Sequence, residues 1–190
     1  MKKANKLFAL LMLVVLVSPV LNSCKKGAND PFISLRSRAG RLKGVWNLTS
    51  GTATSISGSS STTYNFTGTM ETYIAGGQSQ TAPYTETVEF VKDNTFTSTV
   101  LAGTTMEVVS GFWAFMDGYD AVKNKECVVL RIKSEMYGSD ITTYTDDLMP
   151  SQILRFDELK GSECIIMSNG TETSSGTVSN YTSTKTYTKK

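Results

Sequence analysis

Chemistry in this chain has few side chains to work with. There is no histidine among its 190 residues. That removes Ser-His-Asp and Cys-His catalysis and the usual zinc and copper ligand sets. Three acid pairs remain: Asp117/Asp120, Asp146/Asp147 and Asp157/Glu158. Adjacent carboxylates on a strand point to opposite faces, so Asp157 and Glu158 cannot flank one sugar as a glycosidase pair does. The run from Asp117 to Asn124 lacks the ligand rhythm of a calcium loop. Acids in loops are ordinarily solvated turn residues. The expectation is a protein that is not an enzyme, with no metal and no cofactor.

Three cysteines remain, Cys24, Cys127 and Cys164. Cys127 and Cys164 each open an apolar run, Cys127–Leu130 and Cys164–Met167. They could pair in an oxidising compartment. They could equally be buried thiols acting as small hydrophobes. A strand at Ile153–Leu159 between them would hold them two strand spacings apart, about 9–10 Å, too far to bridge.

Cys24 stands at the end of a different kind of segment. Met1–Lys6 carries three lysines, Leu7–Val17 is an unbroken apolar run, and Ser18-Pro19 breaks it. A basic start, a short apolar run and a small-residue exit make a secretory signal. The run is short of the roughly 20 residues a spanning helix needs. Leu21-Asn22-Ser23-Cys24 resembles a bacterial lipobox. The resemblance implies that Cys24 becomes the first mature residue, carrying a diacylglycerol thioether and an acylated amine (palmitate-type chains). Such multiple chains anchor stably where a single chain does not. Lys25 follows in place of the aspartate of inner-membrane retention, which favours the outer membrane; periplasmic and surface faces both stay open.

The expected organisation is a signal peptide at 1–23, a lipid-anchored linker with a short helix at 24–43, and one domain at 44–190. From Cys24 to Lys43 there are six basic residues and one acid, while the body is mildly acidic. A basic stretch beside an anchor can touch anionic headgroups, or can simply be solvated. No basic, aromatic-interleaved face suggests nucleic acid.

The body is rich in Thr, Ser, Tyr, Val and Phe, residues that suit pleated structure. Period-two alternation places Tyr64, Phe66, Met70 and Ile74 on one face. Val88 and Phe90 precede the turn Lys92-Asp93-Asn94, and Phe96 and Val100 follow it, predicting a hairpin. Gly111–Phe115 with Cys127–Ile132, and Ile153–Leu159 with Cys164–Met167, form two further pairs. Gly44–Thr49 and Val178–Thr188 supply the first and last strands. About eight to nine strands in neighbour-to-neighbour order predict an up-and-down antiparallel β-barrel or a sandwich. One helix is expected, opened by Asp30-Pro31 and carrying Phe32, Leu35, Ala39 and Leu42 at helical spacing. Ser50–Thr63 and Asn169–Ser175 read as flexible Ser/Thr/Gly loops.

A short basic-apolar helix leading into Gly44-Val45-Trp46, then a meander of strands, resembles the lipocalin pattern. With the lead-in Asp30–Arg38 and the step Gly111-Phe112-Trp113, it is more similar to the lipocalin-like lipoproteins of the Bacteroidetes. The resemblance implies that Gly44 and Trp46 close the barrel base beneath a late-strand cation. The last strand offers no arginine, and Lys185 is the expected substitute. It also implies a small hydrophobic or amphipathic ligand, with Tyr64, Phe66, Phe90, Phe96, Trp113 and Phe115 as lining candidates. An aromatic stripe on an inner face is equally what a filled core shows. The alternative is a lipid-tethered domain with a filled core that docks on an outer-membrane protein or polysaccharide.

Overall fold

The computed structural model describes residues 37–116, 126–174 and 177–190, with side chains described for 37–116, 126–171 and 178–190. The lipobox, Cys24, the Asp30-Pro31 helix start and the Asp117/Asp120 pair lie outside these residues.

The chain is nearly all β. Eleven strands follow one short helix: α1 (Arg38–Leu42), β1 (Gly44–Ser57), β2 (Ser60–Phe66), β3 (Met70–Ala75), β4 (Gln78–Phe90), β5 (Thr95–Ala102), β6 (Thr105–Met116), β7 (Glu126–Tyr137), β8 (Asp140–Thr143), β9 (Ser151–Leu159), β10 (Glu163–Ser174) and β11 (Thr177–Lys189). Every pairing is antiparallel. Pairing of β6 with β7 closes the ring that starts at β1. The result is the expected closed barrel, ten strands in the wall and β8 outside it, somewhat more than eight to nine.

The wall has a different make-up at its two ends. At the base β1 pairs directly with β4, Gly44 opposite Phe90 and Asn47 opposite Thr87. The Thr87 hydroxyl donates to Asn47 Oδ1 at 3.0 Å. Just above, β1 bulges between Leu48 and Ser50. From there its neighbour is β2, Gly51 opposite Phe66, and the β2–β3 hairpin fills the space between β1 and β4. Eight described strands therefore ring the base, and ten ring the upper barrel.

Three expectations change. Ser50–Thr63 is a hairpin, not a loop: β1 continues to Ser57, and Gly58 (φ +59°) turns the chain into β2. Threonine and serine side chains favour the pleat, and rungs such as Thr54 opposite Thr63 satisfy the backbone that a flexible loop would leave to water. Asn169–Ser174 likewise extends β10 against β11. Third, Tyr64, Phe66, Met70 and Ile74 are not one strand. A turn through Thr67–Thr69, closed by Thr67 N–H donating to Met70 O at 3.0 Å, puts them on β2 and β3, with Met70 and Ile74 exposed.

The core sits in the lower half. Trp46, Leu48, Val88, Phe90, Phe96, Trp113, Val128, Phe156, Leu159, Cys164 and Tyr187 are all buried there. Cys127 and Cys164 are free and buried, with β9 between their strands. Burial holds both thiols above their ordinary pKa.

Candidate functional site

The base is sealed by residues the Gly-x-Trp step brings together. α1 is capped by Ser37, whose hydroxyl accepts from Gly40 N–H at 3.1 Å. It ends where Trp46 Nε1 donates to Leu42 O at 2.6 Å. Lys189 lies over the Trp46 ring at 4.9 Å and donates to Arg41 O at 2.7 Å. The cation over the indole is thus Lys189, not Lys185. Register explains the exchange: Lys189 shares the inner face of β11 with Lys185, but it is Lys189 that stands opposite Trp46, while Lys185 stands opposite Gly51, higher in the barrel. Gly44 (φ +127°) adopts a backbone that L side chains rarely reach, with the Lys189 stem in the space a Cβ would need. Under the helix, buried Glu126 is held by Arg41 at 2.8 Å and Arg38 at 3.2 Å.

Three of the candidate aromatics belong to this seal. Phe90 and Trp113 meet edge-on at 5.9 Å, and Trp113 and Phe115 at 5.6 Å. Arg38 covers Phe115 at 4.4 Å. Of the other three, Phe96 lies in the core opposite Phe90 and forms part of a chamber floor, while Tyr64 and Phe66 line a shelf at the rim.

The chamber occupies the barrel above the core, with a volume of about 280 Å³. Its floor is apolar, built from Val88, Phe96, Val109, Leu130, Leu154 and Ile166. Its walls carry Ser98, Ser168, Ser183 and Gln152, and carboxylates at Glu107 and Glu135. Glu135 accepts from the Tyr144 hydroxyl at 2.8 Å.

A polar belt crosses one side of the chamber. Glu86 sits 2.5 Å from Lys185 Nζ and accepts from Tyr187 at 2.6 Å and Tyr84 at 2.8 Å. Burial alone would raise the Glu86 pKa. Lys185 and the tyrosine hydrogen bonds outweigh it, and the carboxyl lies below its ordinary value. Burial, then the charge of Glu86, pushes both tyrosines upward. Lys185 also faces the Phe66 ring at 4.7 Å. It therefore belongs both to the chamber and to the rim shelf of about 240 Å³, where Tyr64, Phe66, Tyr84 and Glu71 gather.

A third cavity, about 390 Å³, lies at the wall between β9 and β10. The ladder joining these strands runs from Cys164/Leu159 to Met167/Arg155 and goes no higher among the described residues. Above it β9 stays with β7, and β10 with β11. Ser151, Gln152, Ile153, Arg155, Ser168 and Asn169 line the gap. Arg155 spans its lower edge by donating to Asn169 Oδ1.

Sequence reading missed the belt and the wall acids, although a signal was present. Tyr84 and Glu86 keep the inward parity of Val88 and Phe90, and Lys185 keeps that of Tyr187. Charged residues on the core face of a strand are the features a period-two scan discards. No group of three or more metal-ligating side chains occurs among the described residues. No family model, curated protein or solved structure matches the chain.

Proposed function

We propose that this chain is an exported, lipocalin-like lipoprotein, anchored in the outer membrane through Cys24, that binds a small amphipathic molecule inside its barrel. The carrying observation is the chamber: apolar below, polar above, and sealed at the base by α1, Trp46 and Lys189. Binding sites combine an apolar lining with a few placed polar groups in this way. The Gly44 and Trp46 geometry supports the lipocalin-like reading. A non-enzymatic role fits the belt, whose carboxylate, ammonium and hydroxyls bond to one another.

Native mass spectrometry of residues 25–190, taken gently from the host envelope, tests the binding. A small molecule that leaves on denaturation is expected. A clean apo mass, with no uptake of amphiphiles added in vitro, overturns the reading. Cys24→Ala tests the anchor: the protein should leave the membrane fraction, and unchanged association refutes lipidation.

One observation favours the second reading, a tethered docking domain. An apolar row crosses the outer wall near the rim, with Val108 opposite Met136 and Met136 opposite Ile141. Ile141 is 70% exposed, and Leu101 and Met106 lie beside the row at 40% and 43%. Patches of this kind mark interaction sites when contiguous.

A further inference from the structure

The gap between β9 and β10 is more than a surface dent. Gln152 and Ser168 line both it and the chamber. Gln152 and Leu154 face inward, so Ile153 and Arg155 face outward, and side chains of both faces line the gap. A space bounded by inner-face and outer-face residues of the same strand lies where a passage through the wall would run.

The two ways out of the chamber differ in charge. Upward lie Glu107 and Glu135. Sideways, Arg155 is the one charged residue on the lining. A guanidinium has five N–H donors, and the bond to Asn169 leaves others able to serve a ligand. Asp157 lies below the gap, at the bulge where β9 passes from Glu158 opposite Ile165 to Phe156 opposite Ile166. The chamber is at or below the small end of the roughly 300–1,000 Å³ usual for drug-sized ligands, so a longer molecule must protrude.

We propose that the gap is a lateral portal, and that the ligand is an amphiphile whose chain lies in the chamber while an anionic head leaves sideways to Arg155. The inference rests on the chamber-binding reading and adds to it a direction and a charge. An anionic head at the mouth would meet Glu107 and Glu135, with the nearby cation Lys185 already paired to Glu86; at the portal it meets a guanidinium suited to carboxylate or phosphate.

The test loads residues 25–190, which contain every strand of the ring, with the neutral fluorophore N-phenyl-1-naphthylamine. Dodecanoate and dodecyltrimethylammonium then compete for it. Dodecanoate should displace the dye at about tenfold lower concentration, the scale of one charge-assisted contact. Arg155→Glu should abolish or reverse that ratio. Ile153→Glu, which places a carboxylate in the portal at an exposed position, should weaken dodecanoate without the loss of Arg155. An equal ratio in wild type and both variants overturns the portal while leaving the chamber. A ratio that instead follows Glu107→Gln/Glu135→Gln places the head at the mouth and also overturns it. Failure of the dye and both competitors to bind removes the chamber reading itself.

Discussion

The lower and upper halves of this barrel are built on opposite plans. Eight strands ring the base, aromatic edges fill it, and its buried charge, Glu126, is locked to two arginines. Ten strands ring the upper half, which keeps a chamber, a belt of polar groups and a break in its wall. Core packing and open space are thereby separated: the half that is filled by aromatic side chains is not the half that offers space.

Substitutions at the base should be the most damaging. Trp46→Ala removes the largest fully buried side chain and its bond to Leu42, and should cost about 4 kcal/mol by denaturant unfolding. A loss under about 1 kcal/mol would mean the base is not the stability centre. Next comes the belt. Glu86→Gln keeps the shape but leaves Lys185 without its carboxylate, and should cost about 3 kcal/mol. Tyr187→Phe removes one hydroxyl from the same network and should cost about 1 kcal/mol.

The belt also fixes a pH response. The Glu86 pKa is lower in the folded state, so its contribution is present above the ordinary carboxylate range. It is lost as pH falls through the folded value. Tyr84 and Tyr187 are raised, so their contribution is present below the ordinary tyrosine pKa of about 10 and lost above it. Thermal midpoints should therefore fall at both extremes, and Glu86→Gln should flatten the acid arm. At the small end, Thr54→Ala on the β1–β2 hairpin should shift stability by no more than about 0.5 kcal/mol. A larger loss would mean that the hairpin supports the base.

The two halves were unequally legible in the sequence. The lower half announces itself: Val88, Phe90 and Phe96 around a polar turn, and Cys127–Ile132, alternate or run apolar as buried strands do. The upper half is written in threonine, serine and tyrosine, residues shared by strands and loops, so Ser50–Thr63 and Asn169–Ser175 read as flexible loops. Their strand character comes from long-range rungs such as Thr171 opposite Asn180, which local pattern does not contain. The exchange of Lys185 for Lys189 over Trp46 turned on register: both lysines share a face, and which of them stands opposite Trp46 depends on a strand end that composition does not mark. The chamber was invisible for a simpler reason: a void is decided by what the opposite wall leaves unfilled.

The β1–β4 contact at Gly44–Asn47 gives the β2–β3 hairpin the status of a removable panel. The base ring is complete without it, and the hairpin joins the wall only above the Leu48/Ser50 bulge. Lengthening or trimming residues 60–75 would alter the girth of the upper barrel, which scales with strand number, while the floor keeps its own register. The aperture of this molecule can thus drift, or be engineered, without renegotiating the fold.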